Sequence, residues 1–414
     1  VTVWPERTNS EENRDILYIA HHGDWVHYSG EHRIAIRYIL MNQYFATVAR
    51  GLETLAAQEL ENLGAHSVEP GFCGVAFRGD RTLLYRVNLW ARLPFRILMK
   101  LDEFRCQDAQ ELYRHIQTID WSNYLTPDLT LAVKATGKSD RLNHTHFTAL
   151  QVKNAIVDQQ MQEFGDRSNV DTEAADLRIS VHIDRDICTL SLDSSGNSLH
   201  RRGYRPAVGA APLKESLAAA LIQMSGWQPD LMFYDPLCGS GTLPLEACLK
   251  ALNVAPGLFR ESFGFETWRD FDPSVLEKLI QEAEDSQLDQ LPAPIWGSDG
   301  DPKMIEQAIA NATNCGVLDQ VYFSQLDLNE IAAPGDSGVL FCNPPYGERL
   351  GRDRDLGEFY KQLGDILKQR FKGWTAFILS GNKELAKSIG LKSSQRTAVF
   401  NGTLPCQLMK YELY

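Results

Sequence analysis

Asp235-Pro-Leu-Cys-Gly-Ser-Gly-Thr242 (DPLCGSGT) follows an apolar run and precedes a stretch with helical spacing. An apolar strand that breaks at two glycines and resumes as a helix reads as the start of a βαβ unit. Gly239 and Gly241 let the backbone approach a ligand without an intervening side chain. The helix start beyond them offers free N–H groups suited to a carboxylate. The segment lacks the third glycine of the dinucleotide fingerprint and the Lys-Ser/Thr of a phosphate loop. Read alone, it is equally an ordinary strand-to-helix turn.

The residues downstream supply the context. Strands are expected at 232–235, 294–298, 321–324, 339–343 and 375–379, with helices between them and a helix at 213–224 before them. An antiparallel pair near 393–400 and 404–411 closes the pattern. Such alternation implies a Rossmann-like α/β domain with a mostly parallel seven-stranded sheet, covered on both faces and carrying an antiparallel edge. In that arrangement ligands bind beyond the carboxyl ends of the strands. Asp299, in Trp296-Gly-Ser-Asp-Gly-Asp301, then stands where it could accept from ribose hydroxyls. Asp301, before Pro302, fits a helix cap and is at most a helper. Asp327, after the third strand, lies where an adenine amino group would sit, and is otherwise a solvated loop acid. With Asp235, Gly239, Gly241 and Thr242, these acids form the expected cofactor-binding set.

Asn343-Pro-Pro-Tyr346 ends the fourth strand at the same edge. The amino group of a nucleobase is a poor nucleophile, because its lone pair is delocalised into the ring. Two acceptors aimed at its hydrogens favour a pyramidal nitrogen and stabilise the positive charge that grows on it during attack on a sulfonium methyl. The Asn343 side-chain oxygen and the Pro344 carbonyl can supply them. The two prolines stiffen the turn, and Tyr346 offers a ring face to an extruded base. The three signals in this order imply methyl transfer from S-adenosylmethionine to a base amino group.

The first half of the chain reads differently. Residues 41–104 show a β-α-β-β-α-β pattern suited to a ferredoxin-like module, with a turn at Pro70-Gly71. A second mixed α+β unit spans 105–193. Residues 194–212 are rich in Gly, Ser, Pro and Arg and mark a linker to the domain at 213–414. Residues 1–40 show no clear period. Either Met41 is the natural start or these residues form an N-terminal arm. The net charge of −13 argues mildly against nucleic acid, but basic residues gather at 134–141 and 200–205, and a local basic face is enough. Lys134, Lys138, Arg201, Arg202 and Arg205 are therefore the expected RNA contacts. Eight cysteines without paired spacing suggest reduced thiols in a cytoplasm. Cys238 and Cys342 have no nearby His and read as packing residues. No run suits a membrane span, and the ten histidines show no metal-ligand spacing, His144 and His146 included.

Residues 41–414 resemble the bacterial ribosomal-RNA guanine-N2 methyltransferase family. The likeness is carried by DPLCGSGT at 235–242, GSDGD at 297–301, NPPYGERL at 343–350, HRRGYR at 200–205 and APLKESLAAAL at 211–221. It implies a class I methyltransferase domain behind a THUMP RNA-binding region, S-adenosylmethionine as cofactor, and a guanine of 23S ribosomal RNA as substrate. Large members fuse a second methyltransferase domain, and with the chain ending at Tyr414 no second activity is expected. The residues themselves leave open an adenine-N6 methyltransferase acting on DNA or RNA, a transfer-RNA guanine-N2 methyltransferase, and a non-enzymatic RNA-binding assembly factor.

Overall fold

Residues 17–21, 24–28, 41–205, 213–346 and 356–414 are described in the computed structural model. The rest of 1–40, the end of the expected linker at 206–212, and 347–350 of the NPPYGERL stretch lie outside them. Strands β1 (Leu17–His21) and β2 (Asp24–Tyr28) pair antiparallel, Leu17 opposite Tyr28. This hairpin was not expected from the sequence. Its aromatic and β-branched residues favour strand, but no apolar/polar alternation announces it.

Seven strands form the front sheet: β3 (Asn42–Thr47), β4 (His66–Gly71), β5 (Gly74–Gly79), β6 (Arg96–Arg105), β7 (Leu131–Lys138), β8 (Leu177–Asp184) and β9 (Ile187–Asp193). Their order is β4-β5-β3-β6-β9-β8-β7. The expected β-α-β-β-α-β module is present, with helices Glu53–Asn62 and Arg81–Trp90. Asp80 caps the second helix by accepting from the Leu83 N–H at 2.8 Å. The turn at Pro70-Gly71 is corrected: both residues belong to β4, and the chain reverses at Phe72-Cys73, where Cys73 takes φ +53°. Pro70 is tolerated because β4 is an edge strand.

The two front units share one sheet. Strand β6 pairs antiparallel with β9 from Leu98↔Asp193 to Arg105↔Ile187. Along β8, Leu177, Ile179, Val181 and Ile183 are buried while the residues between them face outward. That period of two is the mark of a sheet covered on one side only.

The rear sheet comprises β10 (Phe233–Asp235), β11 (Ile295–Asp299), β12 (Val321–Gln325), β13 (Val339–Cys342), β14 (Thr375–Ser380), β15 (Gln395–Asn401) and β16 (Leu404–Glu412). Their order is β12-β11-β10-β13-β14-β16-β15. The first five run parallel, and β16 is antiparallel to both β14 and β15. All four residues of β13 are buried: Val339 and Phe341 join one core, Leu340 and Cys342 the other. A central parallel strand covered on both faces has this apolar run rather than alternation.

The stretch after β9 is not a loose tether. Ser194 and Ser195 are fully buried and bond Asn88 and Ile97. Arg202 is 1% exposed and bonds the carbonyls of Leu199 and Arg92 and the carboxylate of Glu246. Arg92 in turn donates to the carbonyls of Leu249 and Val254, at the end of the helix Thr242–Ala251. Glu59 accepts from the Arg92 and Leu93 N–H groups, and burial pushes its carboxyl up. The expectation that Arg202 meets RNA is therefore corrected, because its charge is spent inside the joint between the two halves.

Candidate active site

The strand order of the rear sheet switches sides at β10, which has β11 on one side and β13 on the other. Such a switch point leaves a crevice beyond the carboxyl ends of the two strands. Asp235 ends β10 level with Gly297, Asp299 ends β11, and Asn343 follows the last residue of β13. Three separate segments of the chain are thus brought to one edge.

The glycine loop is held from below by four hydrogen bonds. Asp235 accepts from the Leu237 N–H at 3.0 Å, and the Ser298 carbonyl accepts from the Cys238 N–H at 2.9 Å. Asp299 accepts from the Gly239 N–H at 3.0 Å, and Asn311 donates to the Ser240 carbonyl at 2.9 Å. Gly241, at φ +83°, caps the following helix, and a Cβ there would sit 3.0 Å from the Phe323 ring. Gly239, at φ +53°, has nothing within 4 Å of an added Cβ. One glycine is demanded by packing beneath the loop, while the other opens to free space above it. That open cradle fits a ligand lying against the backbone.

The acids differ in their surroundings. Asp235 is 1% exposed, and burial, reinforced by the charge of Asp299, pushes its carboxyl well above the usual range. It works as a support of the loop. Asp299 is half-buried; besides the Gly239 N–H it accepts from the Asp301 N–H at 2.9 Å. Two fixed donors orient its carboxylate, and each oxygen keeps a lone pair for a ligand. Asp301 caps the helix Pro302–Asn314 through the Lys303 N–H at 2.9 Å. Asp327 is exposed, and its Oδ1 accepts from the Asn329 backbone and side chain.

Asn343 Oδ1 is buried and finds no hydrogen-bond partner among the described residues. A buried acceptor left empty costs free energy and is rare. Pro344 beside it is buried, and Tyr346 is held by its ring and its hydroxyl. Its hydroxyl accepts from Asn401 Nδ2 at 3.1 Å, and its ring edge lies 2.9 Å from where a Cβ on Gly381 would stand. Cys238 and Cys342 are buried, and burial raises both thiols well above their ordinary range. Both are packing residues.

Arg205, a second expected RNA contact, is corrected as well. It points inward, donating to Thr242 Oγ1 at 2.6 Å and pairing with Glu215 at 3.5 Å. Lys134, Lys138 and Arg201 are exposed. His144 caps the helix Thr145–Phe164 by accepting from the Phe147 N–H. The sequence reading missed Asn311, Arg205 as a link to Thr242, and Asn401. Asn311 had a signal: it is a polar residue beside Ala308 and Ala312 on the buried face of its helix.

Comparison with known proteins adds to this geometry. Residues 202–410 match the model of the RMKL-like methyltransferase domain, residues 106–193 the THUMP domain, and residues 43–98 the RlmL ferredoxin-like domain. A Synechocystis protein named provisionally as an RNA methyltransferase is 57% identical over 371 residues, 90% of this chain and 97% of the relative. The ribosomal RNA large subunit methyltransferase K/L of Methylococcus capsulatus is 41% identical over 382 residues, 90% of this chain. The match covers 52% of that protein, so the chain spans about half its length. A solved structure of a provisionally named methyltransferase in complex with SAH matches at 32% identity and a TM-score of 0.81, over 90% of this chain and 98% of that one.

Proposed function

Since this chain belongs to the RMKL-like methyltransferase family, we propose that it methylates the exocyclic N2 of a guanine in RNA, with 23S ribosomal RNA as the substrate and S-adenosylmethionine as the methyl donor. One observation carries the reading: the empty buried acceptor of Asn343, at the same sheet edge as the open glycine loop. An acceptor with no partner among the described residues is suited to a donor that arrives with the substrate.

The donor supplies an electrophilic sulfonium methyl when bound. Gly239 and Gly241 form its cradle, Asp299 takes the ribose hydroxyls, and Asp327 faces the adenine end. Asp235 and Thr242 hold the loop and the helix start, and Asp301 supports Asp299 from its cap. Asn343 Oδ1 and the Pro344 carbonyl accept the two amino hydrogens of the base. They favour a pyramidal nitrogen and stabilise the charge that develops on it, with no reorganisation required at the moment of transfer. Tyr346 stacks on the base, its ring fixed by Asn401 and Gly381. The exposed Lys134, Lys138 and Arg201 contact phosphate.

The substrate class draws on the names of the relatives, RNA methyltransferases of which one acts on the large ribosomal subunit, and on the THUMP match. No helix of the described residues is long and apolar enough to cross a membrane. The eight free thiols suit a reducing compartment, and we assign the work to the cytoplasm. The test is transfer of labelled methyl to 23S ribosomal RNA followed by nucleoside analysis. N2-methylguanosine is expected. N6-methyladenosine would overturn the base assignment, and labelling of transfer RNA alone would overturn the substrate.

A further inference from the structure

A concavity of about 1580 Å³ lies away from the glycine loop, on the uncovered face of the front sheet. Its lining carries seven Lys and Arg against four Asp and Glu, in a chain of net charge −13. Two of the basic residues are balanced locally, Arg96 by Asp193 and Lys100 by Glu103. Lys134 and Lys138 stand exposed on the edge strand β7. Lys214, at the far end, precedes the helix that begins with Glu215, the partner of Arg205. The concavity therefore runs from the sheet edge to Lys214, next to the helix whose first residue pairs with Arg205.

Phe72 marks its rim. This side chain is 83% exposed, yet the hairpin tip that carries it is pinned. The Cys73 N–H donates to Glu53 Oε1 at 3.1 Å, and the Cys73 carbonyl accepts from the Val48 N–H at 3.0 Å. Glu53 Oε2 accepts from the Gly51 N–H at 2.8 Å. Nearby, Arg50 lies over the Phe400 ring at 5.1 Å, and Phe400 adjoins Asn401, which holds Tyr346. A ring held in water on a fixed support, at the rim of a basic concavity, presents a free face on which an unstacked base can lie. On the sheet floor the Phe45 ring lies where a Cβ on Gly74 would stand, so a second aromatic ring lies across the strands.

We propose that this face is a track for a single-stranded RNA segment, with a base stacked on Phe72 and phosphates along Lys134 and Lys138, leading the strand towards Tyr346. The inference rests on the RNA reading above and adds the conformation of the substrate and the residue that grips it. Aromatic rings recognise the faces of unstacked bases, which a duplex hides, while lysines follow the backbone.

The test is binding of the full chain to an unstructured oligoribonucleotide and to the same sequence annealed to its complement. Phe72→Ala should weaken single-strand binding roughly 5- to 150-fold, the range set by loss of one stacked base. It should leave duplex binding, cofactor affinity and thermal stability unchanged, since the ring is already in solvent. Phe72→Trp should restore single-strand affinity. In methyl transfer the loss should appear in KM for RNA, with kcat retained. Exchanging both Lys134 and Lys138 for Ala should lower the log–log salt slope by about 1.4, or ~0.7 for each lost contact with a single strand. Unchanged single-strand affinity in Phe72→Ala, or an equal loss for duplex, would overturn the proposal. The binding arm reads the track whichever base is methylated, so its failure is distinct from failure of the guanine-N2 assignment.

Discussion

Asn343→Ala is expected to separate catalysis from stability. The side-chain oxygen is buried without a partner among the described residues, and an acceptor in that state costs the folded protein about 1–3 kcal/mol. Alanine removes this cost together with a few packing contacts. Folding stability is therefore expected to stay level or to rise by up to about 2 kcal/mol. Turnover should move the other way. Loss of one preorganised group that acts mainly in the transition state slows reactions by about 10²–10³, or ~2.7–4 kcal/mol in the barrier. Cofactor affinity should not change, because the glycine loop and Asp299 are held by other bonds. The assay pairs single-turnover transfer of labelled methyl to ribosomal RNA fragments with chemical denaturation of the same preparation. Full activity would refute the proposed role. So would a stability loss above ~2 kcal/mol, since that would mean the side chain was tying the fold together rather than waiting for a substrate.

Other expectations follow from the same contacts. Asp299→Ala should weaken S-adenosylmethionine binding by roughly 1.5–3 kcal/mol for each lost bond to a charged acceptor, and Asp299→Asn by less, because it keeps one acceptor; calorimetry on folded variants checks both. Arg202→Ala leaves Glu246 charged and buried, so it should cost about 3–5 kcal/mol of stability while the salt dependence of RNA binding stays as in the wild type; a variant as stable as the wild type in urea would place the charge elsewhere. Burial and the surrounding Lys214, Arg201, Arg202 and Arg205 hold the His200 imidazole down at about 4. An unfolded His binds its proton near pH 6.5, so stability should fall as the pH drops from about 6.5 towards 4. Exchanging His200 for Asn should flatten that part of the denaturation profile, and an unaltered slope would count against it.

Much of this protein follows from short-range pattern. The apolar runs ending at Asp235 and Asn343, the glycines at 239 and 241, and the caps at Asp80 and Asp301 are local features. Each acts within a few residues, through chain geometry and nearby N–H groups. The alternation of strands and helices likewise fixes a doubly wound sheet, because right-handed crossovers leave few arrangements. Those signals were enough to bring Asp235, Asp299 and Asn343 to one edge.

Only the tertiary structure decided where the charges point. His200-Arg-Arg-Gly-Tyr-Arg205 reads as a basic surface, yet Arg202 bonds Glu246, 44 residues away, and Arg92, 110 residues away. Arg205 turns to Thr242 across 37 residues. Whether an arginine meets a phosphate or an internal carboxylate depends on partners far along the chain, and no local period records them. The fusion of the two front units into one sheet through β6 and β9 is of the same kind, since strand pairing joins segments roughly ninety residues apart in sequence. The empty acceptor of Asn343 also belongs to the tertiary structure. A sequence shows that an amide is present, but only packing shows that none of the described residues satisfies it.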